Sequence, residues 1–366
     1  MNKIKIIISG GGTGGHIFPA LAIANAIEKY NNNVEFLFVG AKDRMEMQKI
    51  PAEGYKIKGL WISGIQRKFD LRNFLFPIKL IVSLYNAKKI VNDFKPDLAI
   101  GTGGYASAPL IYIAAKQSIP TLIQEQNSYP GITNRVLSKY VNCICVAYDK
   151  MERFFPSKKM IFSGNPIRSN ILSFDKLRKE SKSFFKINNS NETVLIVGGS
   201  LGALSINNAI SSNLKKLKNS KVNIIWQTGS SYYEKAIMLV KEYDIKNIHV
   251  FSFIKEMDKA YSLSDIIVSR AGAMAIAELC YVSKPVILVP SPNVAENHQY
   301  KNAQSLVNKK AALIVDDLES NRKLVRVILD LLNNKDLRNT LAKNINKLSV
   351  ENAADKIASI ALKLIK

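Results

Sequence analysis

Short runs of β-branched and aliphatic residues alternate with helical stretches along the whole chain. The first, residues 4–9, runs into glycines, and residues 20–27 behind Pro19 read as a helix. Residues 34–39 form the next strand, ending at Gly40. Strand, glycine turn, helix and strand make a βαβ unit, the mark of a parallel sheet covered by helices. The pattern repeats with strands at 97–101, 121–124 and 143–147 and a helix from Ser107. A second series opens at 193–198, again a strand meeting glycines and a helix. Strands at 223–227, 249–251, 265–269 and 285–290 follow it, interleaved with helical stretches.

Two successive α/β series predict two doubly wound domains facing each other across a cleft at the carboxyl ends of their strands. The boundary is placed near Gly164-Asn165-Pro166, giving domains at 1–164 and 165–339. The polar stretch 174–192 reads as a surface helix and loop of the second half. One amphipathic helix, about 340–366, is expected to return to the first domain.

With 366 residues, two domains agree with a prior of roughly 150 residues each. Hydrophobic residues make up 47%, an ordinary globular content. Cys143, Cys145 and Cys280 are too few for a disulfide scaffold, and with only His16, His249 and His298 a structural zinc site is not expected. No stretch approaches the roughly 18 apolar residues of a membrane-spanning helix, and no secretory leader is read at the start, so a soluble cytoplasmic chain is expected. The net charge of +23 favours an anionic partner, although Lys and Asn enrichment throughout supplies part of it.

Three glycine turns follow strands: Ser9-Gly-Gly-Gly-Thr-Gly-Gly-His16, Gly101-Thr-Gly-Gly-Tyr105 and Gly198-Gly-Ser-Leu-Gly-Ala203. Glycines let backbone approach a phosphate or sugar, and N–H groups at a helix start face negative charge. Gly10, Gly12 and Gly15 fit the dinucleotide pattern, but that reading requires an acid closing the second strand, about 20 residues on. The strand ends at Gly40-Ala41, and the first acid beyond is Asp43. An ordinary P-loop is absent from the sequence.

Together with Glu125-Gln-Asn127, Gly131, Asn134, Gly164-Asn-Pro-Ile-Arg168, Ser269-Arg-Ala-Gly272 and Glu278, these turns occur in an order that resembles glycosyltransferase family 28. The resemblance is to its bacterial lipid II-forming N-acetylglucosaminyltransferases. It implies a GT-B fold and inverting transfer from UDP-GlcNAc to the C4 hydroxyl of lipid I, undecaprenyl-pyrophosphoryl-MurNAc-pentapeptide. It implies no cofactor and no metal, with the helix dipole and Arg168 in the metal's place.

By the same resemblance, Ser200 and the helix start behind it hold the donor pyrophosphate, and Arg168 reaches in from the junction. Ile254 meets uracil through its backbone, and Glu278 accepts the ribose hydroxyls. Ala273, Met274, Ala275, Ile276 and Ala277 start the helix that places Glu278, and Gln299 contacts the sugar. Thr13, Gly14, Gly15 and Asn127 resemble further donor contacts. Gly11, Gly12, Gly103, Gly104, Tyr105 and Asn134 are expected on the acceptor side. Inversion needs a base for the attacking hydroxyl; His16 is the first choice and Glu125 the second. Gln124 stands where many relatives have His, and His298-Gln299 replaces a frequent Gln pair.

Residues 65–79 interleave bulky apolar side chains with bases. From 65 to 95 there are seven bases (Arg67, Lys68, Arg72, Lys79, Lys88, Lys89, Lys95) against Asp70 and Asp93. That composition suits an anionic membrane surface, where a polyprenyl acceptor resides. The competing readings are a diacylglycerol glycolipid synthase of the same fold, an NAD-dependent oxidoreductase and a nucleic-acid binder. No recognised nucleic-acid module is present, so no nucleic-acid partner is expected.

Overall fold

The computed structural model describes residues 3–64, 75–294 and 297–365, leaving the side chains of residues 169 and 170 aside. The chain divides into two compact units, residues 1–167 with 350–366, and residues 168–349.

The first unit contains β1 (Ile4–Ser9), α1 (Gly14–Tyr30), β2 (Val34–Ala41), α2 (Glu46–Ala52), β3 (Lys56–Leu60) and α3 (Phe76–Phe94). It continues with β4 (Leu98–Gly101), α4 (Ser107–Lys116), β5 (Thr121–Glu125), α5 (Ile132–Leu137), β6 (Cys143–Val146) and β7 (Met160–Phe162). The strands form one sheet in the order β3-β2-β1-β4-β5-β6-β7, and every pairing is parallel. Both faces are covered, which is why the inner strands read as unbroken apolar runs. Ile6 and Ile8 pack with Ile17, Ile23 and Ile27 of α1, while Ile7, Ala99, Ile123 and Ile144 pack on the other side with Leu110 and Ile111 of α4.

The second unit contains α6 (Arg178–Phe184), β8 (Thr193–Val197), α7 (Leu204–Ser211), α8 (Leu214–Asn219), β9 (Asn223–Gln227), α9 (Ser230–Glu242) and β10 (Ile248–Phe251). It continues with α10 (Met257–Leu263), β11 (Ile266–Ser269), α11 (Ala273–Val282), β12 (Val286–Leu288), α12 (His298–Val307), β13 (Leu313–Ile314), α13 (Ser320–Leu332) and α14 (Lys335–Asn346). Its sheet is also all parallel, in the order β10-β9-β8-β11-β12-β13.

Two expectations are corrected. Helix α1 begins at Gly14, not Pro19, because the Thr13 carbonyl already accepts from His16 and Ile17; Pro19 sits inside the helix. The closing stretch is two helices: α14 belongs to the second unit, and α15 (Ala353–Lys363) to the first, packed on α1. Asn352, in the left-handed region at φ 54°, separates them.

Candidate active site

Each sheet reverses its strand order once, between β1 and β4 and between β8 and β11. At such a switch point the loops leaving adjacent strands turn opposite ways and open a crevice. In the first unit those loops are the glycine turns after β1 and β4; in the second they are residues 198–203 and 270–272.

The turn after β1 is held from beneath by Glu46, which is fully buried. Its carboxylate accepts from the N–H of Gly12 through both oxygens at 3.1 Å and from that of Ala41 at 3.0 Å. A Cβ on Gly11 would lie 2.1 Å from Glu46 Oε1. Thr102 fixes the other side, its hydroxyl donating to the His16 carbonyl at 2.8 Å. The two glycine turns touch: a Cβ on Gly104 (φ 78°) would lie 2.3 Å from the Gly11 carbonyl. Tyr105 lies against Gly12 and beside Arg44, and burial raises its hydroxyl pKa.

His16, half-buried, places Nδ1 3.0 Å from the Gly11 carbonyl and 3.3 Å from the Thr13 hydroxyl. A carbonyl can only accept, so Nδ1 carries the hydrogen and the neutral ring keeps its lone pair on Nε2. Glu125, 1% exposed, is enclosed by donors. Oε1 accepts from the backbone and side chain of Asn127 at 3.0 and 3.1 Å; Oε2 accepts from Gly131 N–H at 3.2 Å and Asn134 Nδ2 at 2.9 Å. Burial raises its pKa, and the four donors oppose that rise. Those donors occupy the roughly four acceptor positions of a carboxylate, so the geometry favours organising the 127–134 loop over taking a proton. Gln124 faces inward, donating to Asn165 Oδ1 at 2.8 Å.

In the second unit the turn between β8 and α7 is fixed backbone to backbone. A Cβ on Gly202 (φ 78°) would lie 1.9 Å from the Thr228 carbonyl. Ser200 is exposed at its tip. Gln227, 2% exposed, donates to the Gly199 carbonyl at 2.9 Å and accepts from the Ile254 N–H at 2.8 Å. The Ile254 N–H is therefore engaged within the unit. Ala273, Met274, Ala275, Ile276 and Ala277 form the first turns of α11, entered through extended Gly272, and Glu278 follows, 5% exposed.

Arg168 and Glu278, expected on different parts of a donor, are bound to each other. Arg168 Nε and Nη2 meet the two carboxylate oxygens at 2.8 Å each. The Tyr261 hydroxyl adds a third donor at 3.1 Å, and burial raises its own pKa well above the usual value. Gln299 accepts from the Ser291 N–H at 2.9 Å. Arg270 ties Ser205, Asp317 and the Val289 carbonyl together behind the β11 turn.

Glu46, Gln227 and Tyr261 were not singled out from the sequence. The one sequence signal was Glu46 in Asp43-Arg-Met-Glu46 just past the second strand, an acid near the position where a dinucleotide site would place one. Arg67, Lys68 and Arg72 lie outside the described residues. Among the described residues, no group of three or more His, Cys, Asp or Glu side chains forms a metal cluster.

Family models match both halves: the glycosyltransferase family 28 N-terminal domain over residues 6–146 and its C-terminal domain over residues 193–357. The chain is 52% identical over 361 residues to the UDP-N-acetylglucosamine–N-acetylmuramyl-(pentapeptide) pyrophosphoryl-undecaprenol N-acetylglucosamine transferase of Cytophaga hutchinsonii, covering 99% of this chain and 97% of that protein. It is 49% identical to the protein of the same name from Christiangramia forsetii, covering 99% and 98%. Among solved structures, Acinetobacter baumannii MurG aligns over 99% of both chains with a TM-score of 0.78 and 28% identity.

Proposed function

The chain belongs to glycosyltransferase family 28, and on that premise we propose that it transfers N-acetylglucosamine from UDP-GlcNAc to N-acetylmuramyl-(pentapeptide) pyrophosphoryl-undecaprenol, releasing UDP. The observation that carries the reading is the coincidence, in the second unit, of a glycine turn at the strand-order reversal with the carboxylate of Glu278 one strand away. The first supplies amides at the start of α7 for a diphosphate, the second an acceptor for two ribose hydroxyls.

The second unit takes the donor. The Ser200 turn and α7 hold its diphosphate, and the ribose takes the place of Arg168 on Glu278. Tyr261 keeps the carboxylate in position through that exchange, and the freed guanidinium serves the diphosphate. The first unit takes the acceptor on its glycine turns. His16 Nε2 accepts the proton of the C4 hydroxyl while that oxygen bonds to the anomeric carbon from the face opposite UDP. The bond from carbon to the UDP oxygen breaks with its electron pair, which leaves on the diphosphate. Inversion at the anomeric carbon follows from that geometry.

A peripheral position at the cytoplasmic face of the membrane suits this acceptor. Leu75, Ile78, Ile81 and Tyr85 expose a stripe along α3, bordered by Lys79, Lys88 and Lys89. No described helix is long and apolar enough to cross a membrane.

The test supplies radiolabelled UDP-GlcNAc with the pyrophosphoryl-undecaprenol acceptor or with diacylglycerol, each in anionic vesicles. Label is expected on the first acceptor alone. Label on diacylglycerol, or on neither, refutes the proposal.

A further inference from the structure

The carboxylate of Glu278 is reached from solvent past Arg168. The Arg168 side chain is 36% exposed and that of Glu278 only 7%. Nε meets Oε1 and Nη2 meets Oε2, each at 2.8 Å, the two-pronged arrangement in which a guanidinium matches a carboxylate best. The third partner, Tyr261, belongs to the core with Ile276 and Leu279 of α11, the helix that carries Glu278, and its hydroxyl donates to Oε2 at 3.1 Å.

A ribose presents two neighbouring hydroxyls, which also bind a carboxylate as a pair of donors. A carboxylate has roughly four acceptor positions, two on each oxygen. Arg168 and Tyr261 fill both on Oε2, and Arg168 fills one on Oε1. One position remains where a diol needs two. A ribose therefore cannot join Arg168 on Glu278 and has to displace it. Arg168 stays charged at any working pH, so no proton can release it. Parting a buried carboxylate from its cation is costly unless new partners meet both groups. The hydroxyls serve the carboxylate; the cation needs an anion of its own.

We propose that Arg168 is a specificity residue that keeps ribosides lacking a diphosphate out of the donor site, an inference that rests on Glu278 accepting the donor ribose. Free uridine offers uracil and a diol but nothing for the displaced guanidinium, so it meets the full cost of parting the pair. UDP and UDP-GlcNAc carry two phosphates on the same molecule, and the guanidinium moves from one anion to another. The ion pair is thus a competitor built into the site, and only a ligand that re-engages both halves overcomes it. The apparent affinity for a ligand that needs the free carboxylate falls by the fraction of molecules in which the pair is open. No covalent bond changes in this exchange.

The test measures binding of uridine, 2′,3′-dideoxyuridine and UDP to the full chain by ligand-observed NMR and calorimetry. Arg168→Ala is expected to tighten uridine by about tenfold, since a bidentate charged contact no longer has to be broken. Dideoxyuridine, which lacks the diol, should not change by more than about twofold. UDP should not tighten, because the same substitution removes the cation from its diphosphate. Arg168→Gln, which keeps much of the stem, should repeat the pattern, and thermal unfolding checks that each variant is folded. The unmodified chain gives an independent reading: raising salt from about 0.05 to 0.5 M screens the pair and should tighten uridine relative to dideoxyuridine. Uridine affinity that is unchanged or weaker in both variants would overturn the proposal, and so would UDP tightening in step with uridine. If Glu278→Ala binds uridine as well as Arg168→Ala does, the ribose assignment fails instead. If the unmodified chain binds no UDP, the functional reading fails first.

Discussion

Replacing Glu46 by Gln keeps the shape of the side chain and removes one acceptor oxygen from beneath the first glycine turn. In the native chain two backbone donors, Gly12 and Ala41, share three contacts with this fully buried carboxylate. Gln can still offer its single oxygen to Ala41 and Gly12, but its amide hydrogens then face the Gly12 N–H, donor against donor. Changing two charge-assisted hydrogen bonds to neutral ones loses about 1 kcal/mol each, and a buried amide without an acceptor adds at least about 1 kcal/mol more. The sum is about 3 kcal/mol. In a unit of about 180 residues that lowers the melting temperature by about 6–12 °C. The loop would sit less firmly over Gly11, so kcat with the lipid acceptor should fall by more than tenfold. Affinity for UDP-GlcNAc, assigned to the other unit, should change by less than threefold. Differential scanning calorimetry and initial-rate kinetics on one preparation supply all three quantities. A melting temperature within one or two degrees of the native value, with unaltered kcat, would show that Glu46 does not support the turn.

Two further outcomes are expected. Gly104→Ala sets a Cβ against the Gly11 carbonyl at a positive φ and should cut kcat by at least tenfold. Gly131→Ala, which meets nothing within 4 Å, serves as the tolerated control in the same assay. His249, on the edge strand β10, has its pKa lowered by burial. The unfolded chain therefore binds the proton more readily, and the second unit loses stability as pH falls below about 6.5, by at most about 1.4 kcal/mol per unit. Thermal unfolding of His249→Gln should show a flatter pH dependence over that window, and an identical slope would refute the assignment.

The strands at the centre of each sheet were legible because they are buried on both faces and read as plain apolar runs. Edge strands β3, β7 and β13 were not. In β3 the Lys56-Ile-Lys alternation resembles a surface loop, while β7 has three residues and β13 two. The start of α1 is hidden in the sequence because Pro19 suggests a first helical position, whereas the helix starts at Gly14-Gly15, residues of low helix propensity. At the site, the glycines stand out by following strands, and Glu278 only through the family resemblance. Glu46 and Tyr261 do not, since each acts on a partner distant in sequence and neither sits in a recurring local pattern. Arg168 and Glu278 were both singled out, yet their pairing, 110 residues apart, is a fact of tertiary structure alone.

The split composition of the first unit has a consequence for how the chain is made. Ile357, Ala358 and Ala361 are fully buried against α1 and β1, yet they are translated after the whole of residues 168–349. At about 5–20 residues per second, the ribosome spends roughly ten to forty seconds on the intervening segment. During that interval the emerging amino-terminal sheet has a bare apolar trench where its final helix will sit, while the later-born unit is contiguous and can close at once. The half made first is thus the half completed last, and the nascent chain is most vulnerable to aggregation or chaperone capture in the gap between.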